Sequence, residues 1–441
     1  MRRRDFMLAS AAGLAVGGLG DRARAELGDP PLRLGLIGVG LRGTWHLRNA
    51  LLRSDVEVTA LCDIDPERIA VCEKMIADAG RAAARSFAGG DLDYRRVLDL
   101  DSVDAVIIST PWLWHVPMAV DAMRAGKYVG LEVSGAASLE ECWQLVRTQE
   151  ETGTHLMFLE NVCYRRDVMA VLRMVRLGLF GELIHCEGGY QHDLRAIKFD
   201  PGAEFGEQGI SEARWRTWHS VYRNADLYPT HGLGPLMNFL DLNRGNRLES
   251  LTSTASKARG LHEYVERVGG PTHPNASIDF RLGDVVTTVI RCARGEVIVL
   301  RHDTNLPRPY SLGFRVQGTQ GLWMKDGNQI YIEGASAEPH RWEPSGPWLE
   351  RYDHPFWHEE GEAAAGAGHG GMDYFVLREF VLAARAKAPP PIDVYDAATM
   401  MAITPLSERS IAGGGEPQAV PDFTSGRWLR RTPDFAVMQG S

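Results

Sequence analysis

Short apolar runs alternate with helical stretches along the first 160 residues. Residues 32–37 form an apolar run, followed at once by Gly38-Val39-Gly40-Leu41-Arg42-Gly43 and a helical stretch over about 44–52. A second run at 56–62 ends in Asp63-Ile64-Asp65-Pro66. Further runs at 103–109, 128–131 and 155–159 end in Thr110-Pro111, Glu132 and Glu160-Asn161. Helices are predicted over 117–125 and 138–151, the second opening on Ser138 and Glu141 as a capping pair. Apolar runs separated by helices predict a parallel, doubly wound α/β Rossmann domain over residues 30–160, with its ligand beyond the carboxyl ends of the strands.

The pattern changes after about residue 165. A helix over 168–177 precedes strand patterns at 183–190, 277–280, 285–292, 297–302, 312–318 and 329–333. Gly283-Asp284 and Arg294-Gly295 are hairpin turn candidates. This predicts an α+β domain over 161–372 with a large, mainly antiparallel open sheet. Long aromatic and histidine-bearing connections at 215–231 and 342–358 mark functional or mobile segments. The Gly/Ala run 361–371 reads as a loop. Helices follow near 373–386 and 394–410, a carboxy-terminal unit (373–415) packing back on the core before a tail, 416–441.

Composition narrows the partners. The 441 residues carry 57 acidic and 48 basic side chains, a formal charge of −9, which argues against nucleic acid as the main partner. The amino terminus reads Met1-Arg2-Arg3-Arg4-Asp5-Phe6-Met7, then an apolar run over 8–19 and Ala23-Arg24-Ala25. That is the layout of a signal peptide (1–25), its apolar run too short to span a bilayer. Arg3-Arg4 before Phe6 resembles a twin-arginine signal, which predicts export to the periplasm or another site outside the cytoplasm. A basic tail on a cytoplasmic enzyme is the alternative. No other segment has the length and apolarity of a membrane span. The six cysteines show no CxxC and no Cys/His ladder, so buried free thiols and no metal site are expected.

Strand, glycines, helix and a second strand ending in an acid form a dinucleotide-binding pattern, with Asp63 lying 20 residues after Gly43. Gly38, Gly40 and Gly43, with Leu41 and Arg42, allow backbone to approach a pyrophosphate at a helix amino terminus. Asp63 accepts the ribose hydroxyls and repels a 2′-phosphate, favouring NAD over NADP; Arg42 complicates that preference. Thr110, Trp112, Trp114 and His115 stand where the nicotinamide side would rest. Each tryptophan is either a ligand platform or interdomain packing. Glu132, Glu160 and Asn161 sit at the mouth of the sheet, where burying a carboxylate is costly. Glu160 is either a site residue, a salt-bridge partner or a helix cap.

Three further stretches carry a resemblance. Glu160-Asn161-Val162-Cys163-Tyr164, Gly188-Gly189-Tyr190-Gln191-His192-Asp193-Leu194-Arg195 and Tyr228-Pro229-Thr230-His231-Gly232 resemble the NAD-dependent bacterial α-N-acetylgalactosaminidases. That family lies within the glucose-fructose oxidoreductase, inositol dehydrogenase and rhizopine catabolism superfamily, and the resemblance covers roughly residues 30–415. Dehydrogenases of the superfamily carry Glu-Lys-Pro after the fourth strand, whereas this chain reads Glu132-Val133-Ser134, as the glycosidase branch does in lacking the lysine.

The resemblance implies an NAD-dependent glycosidase acting on terminal, α-linked N-acetylgalactosamine. Oxidation at C3, elimination across C2 and C1, water addition and reduction regenerate NAD. It implies Tyr164 as the C2 base and His231 as a proton carrier. Tyr228 and Tyr310 would be further site residues, and Glu132 would meet the nicotinamide or the substrate. Tyr190 and His192, alternating on one strand, are substrate-site candidates. A homodimer through the open sheet face is also implied. The alternatives are an exported NAD(P)-dependent sugar oxidoreductase, a glycosidase of the same mechanism with another sugar or anomer, or a sugar-binding scaffold on a degenerate nucleotide domain.

Overall fold

The computed structural model describes residues 30–200, 202 and 211–436. The signal segment and the last five residues of the tail lie outside the described residues.

The first half runs β1 (Leu32–Ile37), α1 (Leu41–Leu51), β2 (Val56–Cys62), α2 (Pro66–Asp78), β3 (Arg85–Phe87), α3 (Tyr94–Leu98) and β4 (Ala105–Ile108). It continues with α4 (Trp112–Arg124), β5 (Tyr128–Leu131), α5 (Leu139–Thr152) and β6 (Leu156–Phe158). All six strands are parallel, in the order β3-β2-β1-β4-β5-β6. The order reverses at β1 and β4, so a crevice opens beyond their carboxyl ends. The Ser138–Glu141 capping box at α5 forms as expected.

Two expectations are corrected here. Strand β3 was not anticipated, because an edge strand whose Arg85 and Ser86 are exposed needs only Phe87 inward. Helix α4 begins at Trp112, not at Pro117, which lies inside it. Pro117 is the sixth residue of the helix and forfeits one backbone bond there, yet the helix continues through it. Trp112, Trp114 and His115 therefore belong to the first turn of a helix and not to a loop.

The second half runs α6 (Arg166–Arg176), β7 (Leu183–Gln191), α7 (Arg195–Lys198), α8 (Ala213–Tyr222), α9 (Thr230–Phe239), β8 (Leu248–Ala255), α10 (Gly260–Gly269), β9 (Val285–Cys292) and β10 (Val297–Asp303). Then come β11 (Arg315–Gly318), β12 (Gly321–Met324), β13 (Gln329–Ile332), β14 (Glu343–Pro344), α11 (Gly346–Arg351), α12 (Pro355–Ala364), α13 (Met372–Ala386), α14 (Val394–Ala412) and β15 (Gln418–Ala419). Nine strands form one sheet, β14-β13-β12-β11-β7-β10-β9-β8-β15, parallel between β7 and β10 and antiparallel at its other pairings. In β9, Val286, Thr288, Ile290 and Cys292 point inward while Val285, Thr287, Val289 and Arg291 line the other face. Helix α9 covers β7 and α14 covers β8 on the inner face.

No strand forms at 277–280; a short 3-10 turn, Pro274–Ser277, leads into extended coil there. Strands β8 and β12 were not anticipated. The Gly/Ala run is helical as far as Ala364, and then turns through Gly366, Gly368, Gly370 and Gly371, all with positive φ. One hydrophobic core passes through both halves, and the six cysteines are buried and free.

Glycines set the clearance between α9 and β7. A Cβ on Gly188 would lie 2.6 Å from the Gly232 carbonyl oxygen, and one on Gly232 would land on the Gly189 amide. A Cβ on Gly234 would sit 2.7 Å from Glu160 Cγ. The helix thus rests directly on the strand and on the end of β6, which fixes the height of His231 above both.

Candidate functional site

The glycine loop has three different environments. Gly38 adopts φ +81°, and a Cβ there would come 2.8 Å from the Ser109 carbonyl carbon, so it makes the tight turn beneath β4. A Cβ on Gly43 would land on the Gly38 carbonyl oxygen, so this glycine lets α1 pack against the loop. A Cβ on Gly40 would meet nothing within 4 Å. Gly40 is the N-cap of α1 and caps it with no side chain, and the next residue, Leu41, is 54% exposed. Open space before uncapped helix amides is the geometry that receives a pyrophosphate. Asp63 closes the loop: Val39 N donates to Oδ2 at 2.7 Å and Asp65 N to Oδ1 at 3.0 Å. Thr110, half-buried, lies beside Gly38. These residues fit NAD, with Asp63 at the end of β2 where the adenosine ribose would lie.

Arg42 does not guard a 2′-phosphate pocket. Its Nε donates to Glu132 Oε1 at 2.7 Å, while Nη1 and Nη2 donate to Asp373 at 2.7 and 3.0 Å. His46 Nε2 lies 2.7 Å from the same Glu132 oxygen, and Asn161 donates to Asp373 Oδ1 at 2.8 Å. Burial alone would raise Glu132, but Arg42 and His46 outweigh it and hold the carboxyl at about 2. Asp373 is depressed in the same way, against burial, chiefly by Arg42. Glu132 is therefore a locked anion joining α1, β5 and α13. Both of its carboxylate oxygens accept hydrogen bonds, from Arg42, His46 and the Val133 amide.

Trp112 and His115 both lie in the first turn of α4. Trp112 is buried among Trp215, His219 and Tyr228, with ring centroids 4.8 to 5.7 Å away. Of its two readings, interdomain packing is the one observed. Trp114 is half-buried against the core. His115 is fully buried, its Nε2 2.7 Å from the Thr110 carbonyl and its Nδ1 3.0 Å from that of Ser134. It ties the segments after β4 and β5 together behind the crevice.

A cavity of about 860 Å³ is lined by Tyr190, His192, His231 and Tyr310 and by His369, Gly370 and Met372, the histidine of these lying beside Arg42. His231 occupies the first turn of α9. Its Nδ1 lies 2.7 and 2.9 Å from the two Glu160 oxygens, and Glu160 Oε1 also accepts the Val162 amide at 3.1 Å. Glu160 is thus a cap and a histidine partner at once, and is fully buried. With Nδ1–H bound to the carboxylate, Nε2 carries the lone pair.

Tyr190 stacks on Tyr228 at 4.4 Å, and its hydroxyl is 3.1 Å from His192 Nδ1. Burial raises the Tyr190 phenol, and the neighbouring Arg216 opposes that rise. His192 is lowered by burial and by Arg216, which favours its neutral form. Tyr228 packs 4.8 Å from the His231 ring, and Tyr310 stands edge-on to His192 at 4.9 Å. Arg216, paired with Glu212 at 2.8 Å and 5.8 Å from the Tyr228 ring, is a site residue the sequence did not single out. Asp373 and His46 were missed because their partners, Arg42 and Glu132, are far away in sequence.

Tyr164 is not on the cavity wall. It is 1% exposed, its ring lies 5.0 Å from Phe435, and its carbonyl accepts Trp357 Nε1 at 2.8 Å. The base role that the motif resemblance implies for Tyr164 therefore depends on how the site closes around a sugar.

Comparison with known proteins agrees with this geometry. Residues 32–159 match the family model described as an oxidoreductase family with an NAD-binding Rossmann fold, and residues 164–430 match that of the glycosyl hydrolase 109 C-terminal domain. A glycosyl hydrolase family 109 protein of Stenotrophomonas maltophilia (strain K279a) is 52% identical, the alignment covering 99% of this chain and 98% of that protein. An alpha-N-acetylgalactosaminidase of Tannerella forsythia is 50% identical over 99% of both chains. A levoglucosan dehydrogenase in complex with NADH and L-sorbose superposes with a TM-score of 0.68 at 21% identity, covering 89% of this chain and 100% of that one, a likeness of fold. The chain belongs to glycosyl hydrolase family 109 and is an NAD-dependent glycosidase of that family.

Proposed function

We propose that the enzyme releases terminal, α-linked N-acetylgalactosamine by oxidation, elimination, addition and reduction, with His231 and Tyr190 moving the protons. The sugar assignment is supported by the name of the Tannerella forsythia relative. The carrying observation for the chemistry is the buried Glu160–His231 pair facing a cavity that reaches the Arg42 side of the glycine loop. An ordinary retaining glycosidase needs two available carboxylates about 5–5.5 Å apart. Of the two acidic residues among the described cavity lining, Asp167 is already bound by Arg165 and Lys325, which leaves Glu350.

NAD, when bound, supplies reversible hydride acceptance at C3, which acidifies the C2 proton and lets the aglycone leave C1. The glycine-loop amides, Asp63, Thr110 and Asn161 would hold it. His231 Nε2 takes the proton of the 3-hydroxyl, and Glu160 stabilises the imidazolium so formed. Tyr190 faces C2: its own proton passes to neutral His192, and Arg216 favours the phenolate that then accepts the C2 proton. Tyr228 and Tyr310 wall the sugar. Export by the twin-arginine route, supported by residues 1–25, and a homodimer through the open sheet face belong to the same reading. Partly exposed Val285, Val289, Val297, Val299, Leu322 and Tyr331 on that face support the dimer, which sedimentation velocity tests.

The test is hydrolysis of the p-nitrophenyl α-glycoside of N-acetylgalactosamine in deuterated water, on protein purified without added cofactor. Deuterium at C2 of the released sugar, without net NADH, is the expected result. Release without C2 deuterium overturns the mechanism. Net NADH with an oxidised sugar product supports the oxidoreductase alternative.

A further inference from the structure

Beyond β15 the chain forms only a short 3-10 turn, Arg427–Leu429, yet residues 427–436 are held by a series of partners. Gly245 N donates to the Trp428 carbonyl at 2.6 Å, Arg431 pairs with Asp393, and Asp434 accepts from Arg244 Nε at 2.8 Å. Arg244 also donates to Asp396 at 2.8 Å, so the segment is fastened to a charge cluster at the start of α14. Arg176, the last residue of α6, then holds two successive carbonyls. Its Nη2 donates to that of Phe435 at 2.6 Å and its Nη1 to that of Ala436 at 3.1 Å. His354 Nδ1 accepts the Phe356 amide, so Nε2 carries the hydrogen and donates to the Ala436 carbonyl at 3.3 Å. Segments this near a terminus stay in place only when tied down in such a way.

The large side chain that these bonds deliver is Phe435. Within 427–436 only Phe435 and Ala436 are buried, and Leu429 is 67% exposed. The Phe435 ring meets that of Tyr164 at 5.0 Å, tilted by 56°. Tyr164 closes the 3-10 turn Asn161–Tyr164, and the other end of that turn belongs to the site. Glu160 caps it through the Val162 amide and holds His231, while Asn161 donates to Asp373. Inside the turn the bonds are few and long: Cys163 N to the Glu160 carbonyl at 3.4 Å and Arg165 N to that of Val162 at 3.1 Å. A turn with such weak internal bonding takes its position from what packs on it. At the Tyr164 end that is Trp357, bonded to the carbonyl, and Phe435, packed on the ring.

We infer that Phe435 is a positioning residue of the active site: the carboxy-terminal strap seats the Asn161–Tyr164 turn and, through it, the Glu160–His231 pair. The inference rests on the glycosidase reading above, in which His231 takes the proton of the 3-hydroxyl. Phe435 touches neither the sugar nor the cofactor. It acts by keeping the turn from tilting, and with it the carboxylate that orients the imidazole.

The experiment compares full-chain Phe435→Ala, Phe435→Leu and Leu429→Ala with wild type on the p-nitrophenyl α-glycoside of N-acetylgalactosamine. Turnover is counted per bound NAD, so that unfolded chains do not enter. Phe435→Ala is expected to lower kcat about tenfold with KM within about twofold, the mark of a misplaced reacting group. It should also raise the isotope effect on kcat from substrate deuterated at C3, because the step that His231 serves becomes slower. Phe435→Leu refills most of the space and should return kcat to within about threefold of wild type, while Leu429→Ala, in the same strap but exposed, should match it. If Phe435→Ala does not fold, Arg176→Lys loosens the strap without emptying the core, and is expected to lower kcat about threefold with the same constancy of KM. Wild-type kcat per bound NAD in whichever of these two variants folds overturns the inference. So does a loss that leaves the isotope effect unchanged, or one that Leu429→Ala reproduces, each leaving the glycosidase reading intact. A wild type that releases no sugar overturns the glycosidase reading, and the inference with it.

Discussion

Two buried carboxyl groups, Glu132 and Asp226, behave in opposite ways. Glu132, on the nucleotide side, is held at about 2 because Arg42 and His46 outweigh its burial. Asp226, two residues before Tyr228 on the sugar side, is pushed to about 7 by burial, with only the Tyr228 amide to oppose it. The contrast extends to their surroundings. Around the glycine loop, charges are paired with charges: Arg42 with Glu132 and Asp373, and His369 with Asp373 at 2.7 Å. Facing the sugar stand phenols and imidazoles, with Glu160–His231 as the ionisable pair among them. Paired buried charges fix geometry at the cost of reactivity, whereas groups left near neutrality can exchange protons during turnover.

The largest test of this division is His231→Ala. It should lower kcat about 10²–10⁴-fold while bound NAD per chain stays unchanged, read by steady-state kinetics and by absorbance of released cofactor. Loss of NAD together with activity would merge the two sides. The glycines sharpen the nucleotide side. Gly43→Ala should cost more than ~2 kcal/mol in chemical denaturation, since its Cβ meets backbone. Gly40→Val, in open space, should keep apo stability within about 0.5 kcal/mol yet lose most bound NAD.

Asp226→Asn tests the charge-poor side. Its carboxyl ionises near 3.9 in an unfolded chain but at about 7 in the fold, so the folded state holds the extra proton between those values. Wild-type stability therefore carries a term that is fully present below about pH 4 and falls toward pH 7, by up to about 1.4 kcal/mol per pH unit. The wild-type minus variant difference in unfolding free energy should follow that slope; a flat difference would place a counter-charge at Asp226. The smallest effect is expected from Tyr164→Phe, with kcat within threefold of wild type and stability within about 1 kcal/mol. A hundredfold loss of kcat would return the base role to Tyr164.

Local signals in the sequence were legible because their partners are local. The glycine loop, α1, β2 and Asp63 lie within one strand–helix–strand unit, and the capping box of α5 spans four residues. What failed depended on contacts distant in sequence. Glu160 and His231 stand 71 residues apart, and Arg42 and Asp373 stand 331 apart, so no spacing pairs them. Tyr164 was placed by its motif, and only packing reveals that Phe435 covers its ring. Pro117 misplaced the start of α4 because a proline reads as a first-turn residue, whereas this one lies in the second turn of a helix that opens at Trp112. Strand β8 escaped because its LESLTSTA sequence alternates weakly, and its burial comes from α14 and β9.

The Arg42–Asp373 bond also sets an order of events during synthesis. The nucleotide domain has all its strands once residue 158 has emerged, yet the partner that fixes Arg42 at the glycine loop arrives with residue 373. At typical elongation rates that interval lasts roughly ten to forty seconds. Through it, Arg42 has Glu132 alone, and the loop that receives the cofactor is braced on one side. Firm capture of NAD thus belongs to the finished chain, so a nascent or truncated chain ending before α13 holds the cofactor more loosely than the complete enzyme.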